Sequence, residues 1–294
     1  MSAKIIQEPV PMPTPPLEER LLRMIPHPML RFETHIVEHC DLNCRMCTHF
    51  SPLAVPRFAE LSTFSRDLRR LRELFGDNVA YIMLLGGEPL LHPELPDFLC
   101  TARTFFPNTD VILYTNGLKL PQMDPVFWES CEANRIFVTL TRYPVPADYA
   151  EIERLLERHR LTYRYCNTPG REKRSSHFPL DPNGTQDPRR SFLDCDMANR
   201  CIFLRDGKLY TCPVIPNIWH FNAYFHTDLA VSPLDAIDIH QAADAREIMR
   251  FLASPPPFCR YCDVSRRTIL HEWATSKKSI CEWTLPTREP ATDN

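Results

Sequence analysis

The segment His39-Cys40-Asp41-Leu42-Asn43-Cys44-Arg45-Met46-Cys47 directly follows an apolar run of strand length, Leu30–Val37, and Gly86-Gly87-Glu88-Pro89 directly follows a second, Tyr81–Leu85. The first segment puts three thiols on one short loop at a strand exit. Three thiolates can bind three irons of a [4Fe–4S] cube and leave the fourth iron open. An open position is what separates a catalytic centre from a closed structural one. A zinc knuckle or a set of buried cysteines is the plainer alternative for the triplet alone.

Outward from these loops, strand-length runs alternate with helix-period segments. A helix is expected over Ser62–Phe75, with Phe64, Leu68, Leu71 and Phe75 on one face and Ser62 or Thr63 as cap. Helices follow over Pro96–Phe106, Pro125–Ala133 and Ala147–Arg158, and strands over Val111–Tyr114, Ile136–Leu140 and Thr162–Tyr165. Successive β-α units predict a parallel sheet whose chemistry sits at the C-terminal ends of its strands. The fold class is therefore α/β: a partial (β/α)6 TIM-like barrel, followed by a small C-terminal α+β hairpin domain. The expected organisation is a proline-rich N-terminal arm over residues 1–25, the partial barrel over 26–190 and the hairpin domain over 191–294. A polar stretch near Asn167–Pro188 reads as a linker or lid.

Composition narrows the class. The chain has 294 residues, 44% of them hydrophobic, with a net charge of -3, enough apolar content for a sizeable core and no basic footprint for nucleic acid. No apolar run approaches the length that spans a bilayer, and the first residues lack the pattern of a secretory signal, so a cytoplasmic protein without a membrane partner is expected. In a reducing compartment, 12 cysteines read as metal ligands more readily than as disulfides. With no G-x-G-x-x-G and no Walker loop, the seven glycines offer no nucleotide cradle.

Together, Cys-x3-Cys-x2-Cys after the first strand and Gly-Gly-Glu-Pro after the second resemble the radical S-adenosylmethionine superfamily, over about Leu30–Tyr165. The resemblance implies that Cys40, Cys44 and Cys47 hold a [4Fe–4S] cluster whose open iron takes the amino and carboxylate groups of S-adenosyl-L-methionine. Gly86, Gly87 and Glu88 would line the methionyl amino site, Asn116 would lie near the ribose or methionyl part, and Thr139 or Thr141 would contact the same ligand. Met46 stands where relatives often carry an aromatic beside the adenine. The implied chemistry is reductive cleavage to a 5'-deoxyadenosyl radical that removes hydrogen from an unactivated carbon, fed by a reductant such as flavodoxin or ferredoxin.

A second constellation comprises Cys195, Cys201, Cys212, Cys259 and Cys262. Asp206-Gly207 suits a tight hairpin turn. Counting back pairs residue 205 with 208 and so Cys201 with Cys212. Zinc or a cluster would fit a hairpin with terminal cysteines plus a Cys-x2-Cys. Cys195, Gly207-x4-Cys212 and Cys259-x2-Cys262 resemble the twitch or SPASM-like domain that binds an auxiliary [4Fe–4S] cluster, which would make two clusters in all. Five thiols compete for four places: the family's spacing favours Cys195, hairpin geometry favours Cys201. The surplus thiol, Cys195 or Cys201, or Cys281 as an outside candidate, would be either buried packing or a hydrogen-atom donor. Cys100, Cys131 and Cys166 read as core cysteines. Trp219–Phe225 and Trp273 are expected to cover the auxiliary site.

The small C-terminal domain resembles that of family members acting on a hydroxyl-bearing carbon of a sugar or aminocyclitol in secondary-metabolite or antibiotic biosynthesis. A fifth thiol favours redox-neutral epimerisation. Dehydrogenation, with the auxiliary cluster as electron acceptor, and peptide modification are the alternatives, alongside a non-catalytic zinc module. Arg142, Tyr143 and Arg171–Arg174 are candidate substrate contacts.

Overall fold

A computed structural model describes residues 9–167 and 172–286; Arg171 and the first eight residues of the N-terminal arm lie outside them. The strands are β1 (Val10–Pro11), β2 (Leu30–Val37), β3 (Val79–Gly86), β4 (Asp110–Thr115), β5 (Phe137–Leu140), β6 (Tyr163–Tyr165), β7 (Ser176–His177), β8 (Phe203–Arg205), β9 (Lys208–Tyr210), β10 (Ile237–Asp238) and β11 (Thr268–Ile269). The helices are α1 (Leu17–Leu22), α2 (Leu61–Phe75), α3 (Leu95–Phe105), α4 (Pro125–Ala133), α5 (Tyr149–Arg158), α6 (Pro188–Asp194), α7 (Val214–Phe225) and α8 (Ala245–Leu252).

The main sheet runs β10-β9-β8-β2-β3-β4-β5-β6. Strands β2 to β6 are parallel neighbours in sequence order, as β-α alternation predicts. The sixth parallel strand is β8 from the C-terminal hairpin, paired with β2 through Glu33↔Phe203 and Thr34↔Leu204. No closed barrel forms among the described residues, and the sheet is an open arc. The hairpin therefore continues the main sheet, a pairing that no local sequence signal announces.

Alternation along each strand gives the arc two unlike faces. Phe32, Ile36, Ile82, Leu84, Val111, Leu113, Val138 and Leu140 pack with Leu68, Leu71, Phe98, Phe127, Ile152 and Leu156 of the helices in one apolar core. The intervening residues, Arg31, Glu33, His35, Tyr81, Met83, Tyr114 and Thr139, face the concave side. Helix α2 begins one residue before Ser62, with Glu60 at its cap position and no side-chain cap bond, so neither Ser62 nor Thr63 caps it. The proline-rich arm is docked rather than loose: β1 pairs with β11, and the Arg23 guanidinium, 2% exposed, donates to the Cys195 carbonyl. No helix among the described residues is long and apolar enough to cross a membrane.

One buried side chain ties the hairpin to the barrel. The Asp67 carboxylate of α2 accepts the Gly207 N–H at 2.7 Å in the β8–β9 turn and stands 2.9 Å from His240 Nε2. Gly207 has φ +76°, and an added Cβ there would sit 2.9 Å from the His240 ring, so the turn needs glycine on both counts. Asp67→Ala strands a buried amide. It should lower unfolding stability by about 2 kcal/mol, read by chemical denaturation, while leaving the secondary structure intact.

Candidate active site

The two motif loops are built by one extension of the sheet. Beyond the ends of β2 and β3, Gly87 N–H donates to the Val37 carbonyl at 2.8 Å and Glu88 N–H to the His39 carbonyl at 3.0 Å. A Cβ on Gly86 would lie 2.2 Å from Val37 O, and one on Gly87 1.9 Å from His39 O. Both glycines serve close backbone approach, since any side chain would push the cysteine loop off the sheet.

Glu88 turns back into the protein. Its buried carboxylate accepts from the Thr115 hydroxyl, from Asn116 N–H at 2.9 Å and from Leu90 N–H at 3.1 Å. Burial nevertheless pushes this carboxyl up to about 7, against those hydrogen bonds. Asn116 in turn donates through Nδ2 to Asp41 of the cysteine loop at 2.8 Å. Gly86, Gly87, Glu88 and Asn116 thus gather at the cysteine loop. Thr139, on β5 beside Tyr114 of β4, has a buried Oγ1 that meets no hydrogen-bond partner. Thr141 Oγ1 lies 3.0 Å from Cys166 Sγ. Met46 is 7% exposed and takes a left-handed backbone, φ 61°.

Cys40, Cys44 and Cys47 all lie within electrostatic reach of the buried Tyr143 hydroxyl. Burial raises the Cys40 thiol well above its ordinary value and pushes Cys44 up to about 11. Thiols so buried stay protonated until a metal displaces the proton. The C-terminal segment closes over this loop: Arg45 N–H donates to the Ala274 carbonyl at 2.8 Å, Ser276 N–H to Asn43 at 2.7 Å, and Trp283 Nε1 to the Cys47 carbonyl at 2.8 Å. Trp273, expected over the auxiliary site, instead packs edge-on against Tyr143 beside Cys44. Its place follows from the Cys44–Thr275 bridge, a long-range pairing.

Behind the loop, Glu38 accepts from Arg205 at 2.5 Å and lies 2.9 Å from His220 Nε2 and 3.4 Å from His35 Nδ1. Burial opposes its charge, but the His220 and His35 hydrogen bonds and Arg205 hold it well below the usual carboxylate range. This buried network joins the end of β2 to β8 and α7. Sequence reasoning missed it, because its members are far apart in the chain.

In the second constellation the structure separates the five thiols. Cys195, Cys212, Cys259 and Cys262 are all within electrostatic reach of one another. Cys201 reaches Cys195 among these, and it also lies within electrostatic reach of Glu33 on the concave face, Asp196 and Arg200. The expected Cys201–Cys212 pairing does not form. The hairpin ladder ends at Phe203↔Tyr210, Cys201 N–H turns back to the Met197 carbonyl at 2.9 Å, and Asn199 N–H takes the Thr211 carbonyl at 3.0 Å. Arg267, 6% exposed, donates from Nη2 to Cys195 Sγ at 3.2 Å. Cys281 is exposed on a turn. Cys131 is buried as expected, whereas Cys100 and Cys166 are exposed, on the outer side of a helix and at a strand exit. Of the aromatic segment, Phe221 and Phe225 pack with Trp283 and Phe50 between the two thiol groups, while Trp219 points outward.

Among the described residues no three Cys, His, Asp or Glu side chains close around the position of a single ion. Thiols of a cube need not, because each binds its own iron. The chemistry of the donors fits such a group: three thiols on one loop beside Tyr143, and four thiols together with a guanidinium donating to one sulfur.

No family model matches the chain. It is 29% identical over 87 residues to a GTP 3',8-cyclase of Sulfurovum sp. (strain NBC37-1), covering 30% of this chain and 27% of that protein. It is 27% identical over 135 residues to a molybdenum cofactor biosynthesis protein 1 of Mus musculus, covering 46% and 21%. The chain thus spans about a quarter of the length of the curated relatives it matches. Among solved structures it is similar to BtrN in complex with AdoMet and 2-DOIA, with a TM-score of 0.51 at 15% identity over 81% of this chain and 94% of that one. Motifs and partial relatives point the same way, and the fold is similar to that of BtrN: the chain resembles the radical S-adenosylmethionine superfamily.

Three variants test the site's construction by iron content after anaerobic reconstitution. Gly87→Ala should lose the loop's share, about four irons per chain. Cys195→Ser should lose the other share and Cys201→Ser neither; the reverse order for these two would return Cys201 to the ligand set.

Proposed function

We propose that this protein is a radical S-adenosylmethionine enzyme that removes hydrogen from a hydroxyl-bearing carbon of a sugar or aminocyclitol and returns it to the opposite face. On this reading Cys40, Cys44 and Cys47 hold one [4Fe–4S] cluster, with Gly86, Gly87, Glu88, Asn116, Thr139 and Met46 around S-adenosyl-L-methionine. Cys195, Cys212, Cys259 and Cys262 hold a second. When bound to the reduced loop cluster, the cofactor supplies the one-electron cleavage that takes a hydrogen atom from an unactivated C–H bond.

The protein's own residues do the rest. Segment Trp273–Ser276 covers the cysteine loop and keeps water from it. The concave face, polar where the opposite face is apolar, receives the substrate. The observation that carries the epimerase reading is Cys201, a thiol outside the group of four and beside Glu33 on that face. Its S–H hydrogen passes to the substrate carbon radical, forming a C–H bond and leaving a thiyl. One electron and one proton, the electron from a flavodoxin- or ferredoxin-class reductant, restore the thiol. Substrate carbon oxidation state is then unchanged overall.

Reconstituted protein with dithionite and S-adenosylmethionine should form 5'-deoxyadenosine, and turnover in D2O should place one deuterium on the inverted carbon. Cys201→Ser should keep both clusters and lose the inverted product by at least about 100-fold. A ketone product with Cys201→Ser still active would assign dehydrogenation instead.

A further inference from the structure

We propose that Glu33 is a substrate-binding residue that pairs with an ammonium group, so that the substrate is an amine-bearing cyclitol or sugar rather than a neutral one. The inference rests on the reading above and narrows its substrate class.

Glu33 lies midway along β2, facing the concave side, with Met83 opposite it on β3 and Phe203 opposite it on β8. Its Oε1 is buried and meets no hydrogen-bond partner, and no ion pair among the described residues includes it. The titratable groups around it are acids, namely Tyr81, Tyr114 and Cys201. Neither arginine of this region forms an ion pair with Glu33 among the described residues, although Arg31 Nε is itself buried without a partner. Arg31 reaches down to His27 Nε2 at 2.8 Å, and the Arg164 guanidinium sits 5.4 Å from the Phe137 ring centroid. A half-buried carboxyl with one oxygen shut off from solvent and unpartnered is costly in a folded protein unless something arrives to pair with it. Burial pushes Glu33 up to about 8, so it waits as a neutral acid and gains a charge partner only when a cationic ligand enters.

The position suits a substrate. Tyr143 beside the first thiol group is within electrostatic reach of Tyr114, Tyr114 of Glu33, Glu33 of Cys201, and Cys201 of Cys195 in the second group. Glu33 therefore stands in the middle of a file that links the two thiol groups. An amine anchored there fixes the ring's register, and Cys201 beside it explains why the hydrogen-returning thiol sits on one face only. A charge-assisted hydrogen bond also discriminates, since an ammonium draws the carboxyl into its ionised form, whereas beside a neutral hydroxyl it stays protonated and gains no charge pair.

The test uses the full reconstituted protein with S-adenosylmethionine bound and two probes of one ring, scyllo-inosamine and scyllo-inositol, in calorimetric titrations. The amine should bind about tenfold to a hundredfold more tightly than the inositol. Glu33→Gln should abolish that preference, and Glu33→Asp should keep part of it. Equal affinities, binding of neither probe, or a preference that survives Glu33→Gln would overturn the assignment. If the glutamine variant does not fold, the wild-type affinities alone decide. Formation of 5'-deoxyadenosine in the same preparation separates the two claims: its absence sinks the functional reading, whereas its presence without amine preference sinks only this inference.

Discussion

The site depends on a backbone contact. Strands β2 and β3 continue their parallel ladder past their ends, so that the Gly86-Gly87 backbone lies directly against Val37 and His39, closer than any Cβ permits. This contact sets where the cysteine loop leaves the sheet, and hence where three thiols face. Glu88 then fastens the same corner to β4 through Thr115 and Asn116, and Asn116 closes the circuit at Asp41. Loop conformations are usually soft; here four segments share one hydrogen-bond network that fixes where the loop leaves the sheet.

A second constraint brings the C-terminal third onto the barrel. β8 adds to the β2 edge, Glu38 binds Arg205 and His220, and Asp67 takes the hairpin turn. Each of these joins is buried and polar, so each is costly if one partner is lost. Their joint effect is to join the hairpin and α7 to the edge of the main sheet. The docked N-terminal segment adds to this, with Arg23 on the Cys195 carbonyl and Asn199 Nδ2 on the Arg23 carbonyl at 2.8 Å.

Much of this was legible in the sequence wherever the signal is local. The β-α alternation predicted the parallel strands β2 to β6, and the Cys-x3-Cys-x2-Cys and Gly-Gly-Glu-Pro motifs fell at two strand exits. What stayed hidden depends on pairing across the chain. The hairpin register was right at Arg205↔Lys208, but extrapolating it to Cys201 failed because Asn199, not Cys201, takes the Thr211 carbonyl. Trp273 sits at the cysteine loop and not at the second thiol group because the neighbouring Thr275 bridges to Cys44, a pairing without a local signal. Glu33 left no mark in the sequence: an acid in an apolar strand becomes informative only once its lack of a partner is seen.

The central claim is that the cysteine loop holds a cluster with one iron open to S-adenosylmethionine. Electron paramagnetic resonance of the dithionite-reduced protein, recorded before and after adding S-adenosylmethionine, tests it most directly. The account predicts a reduced [4Fe–4S] signal whose g-values shift on addition of the cofactor in wild type and in Cys195→Ser, with no such shift in Cys44→Ser. A signal that ignores the cofactor in wild type, or a shift that persists without Cys44, would contradict it.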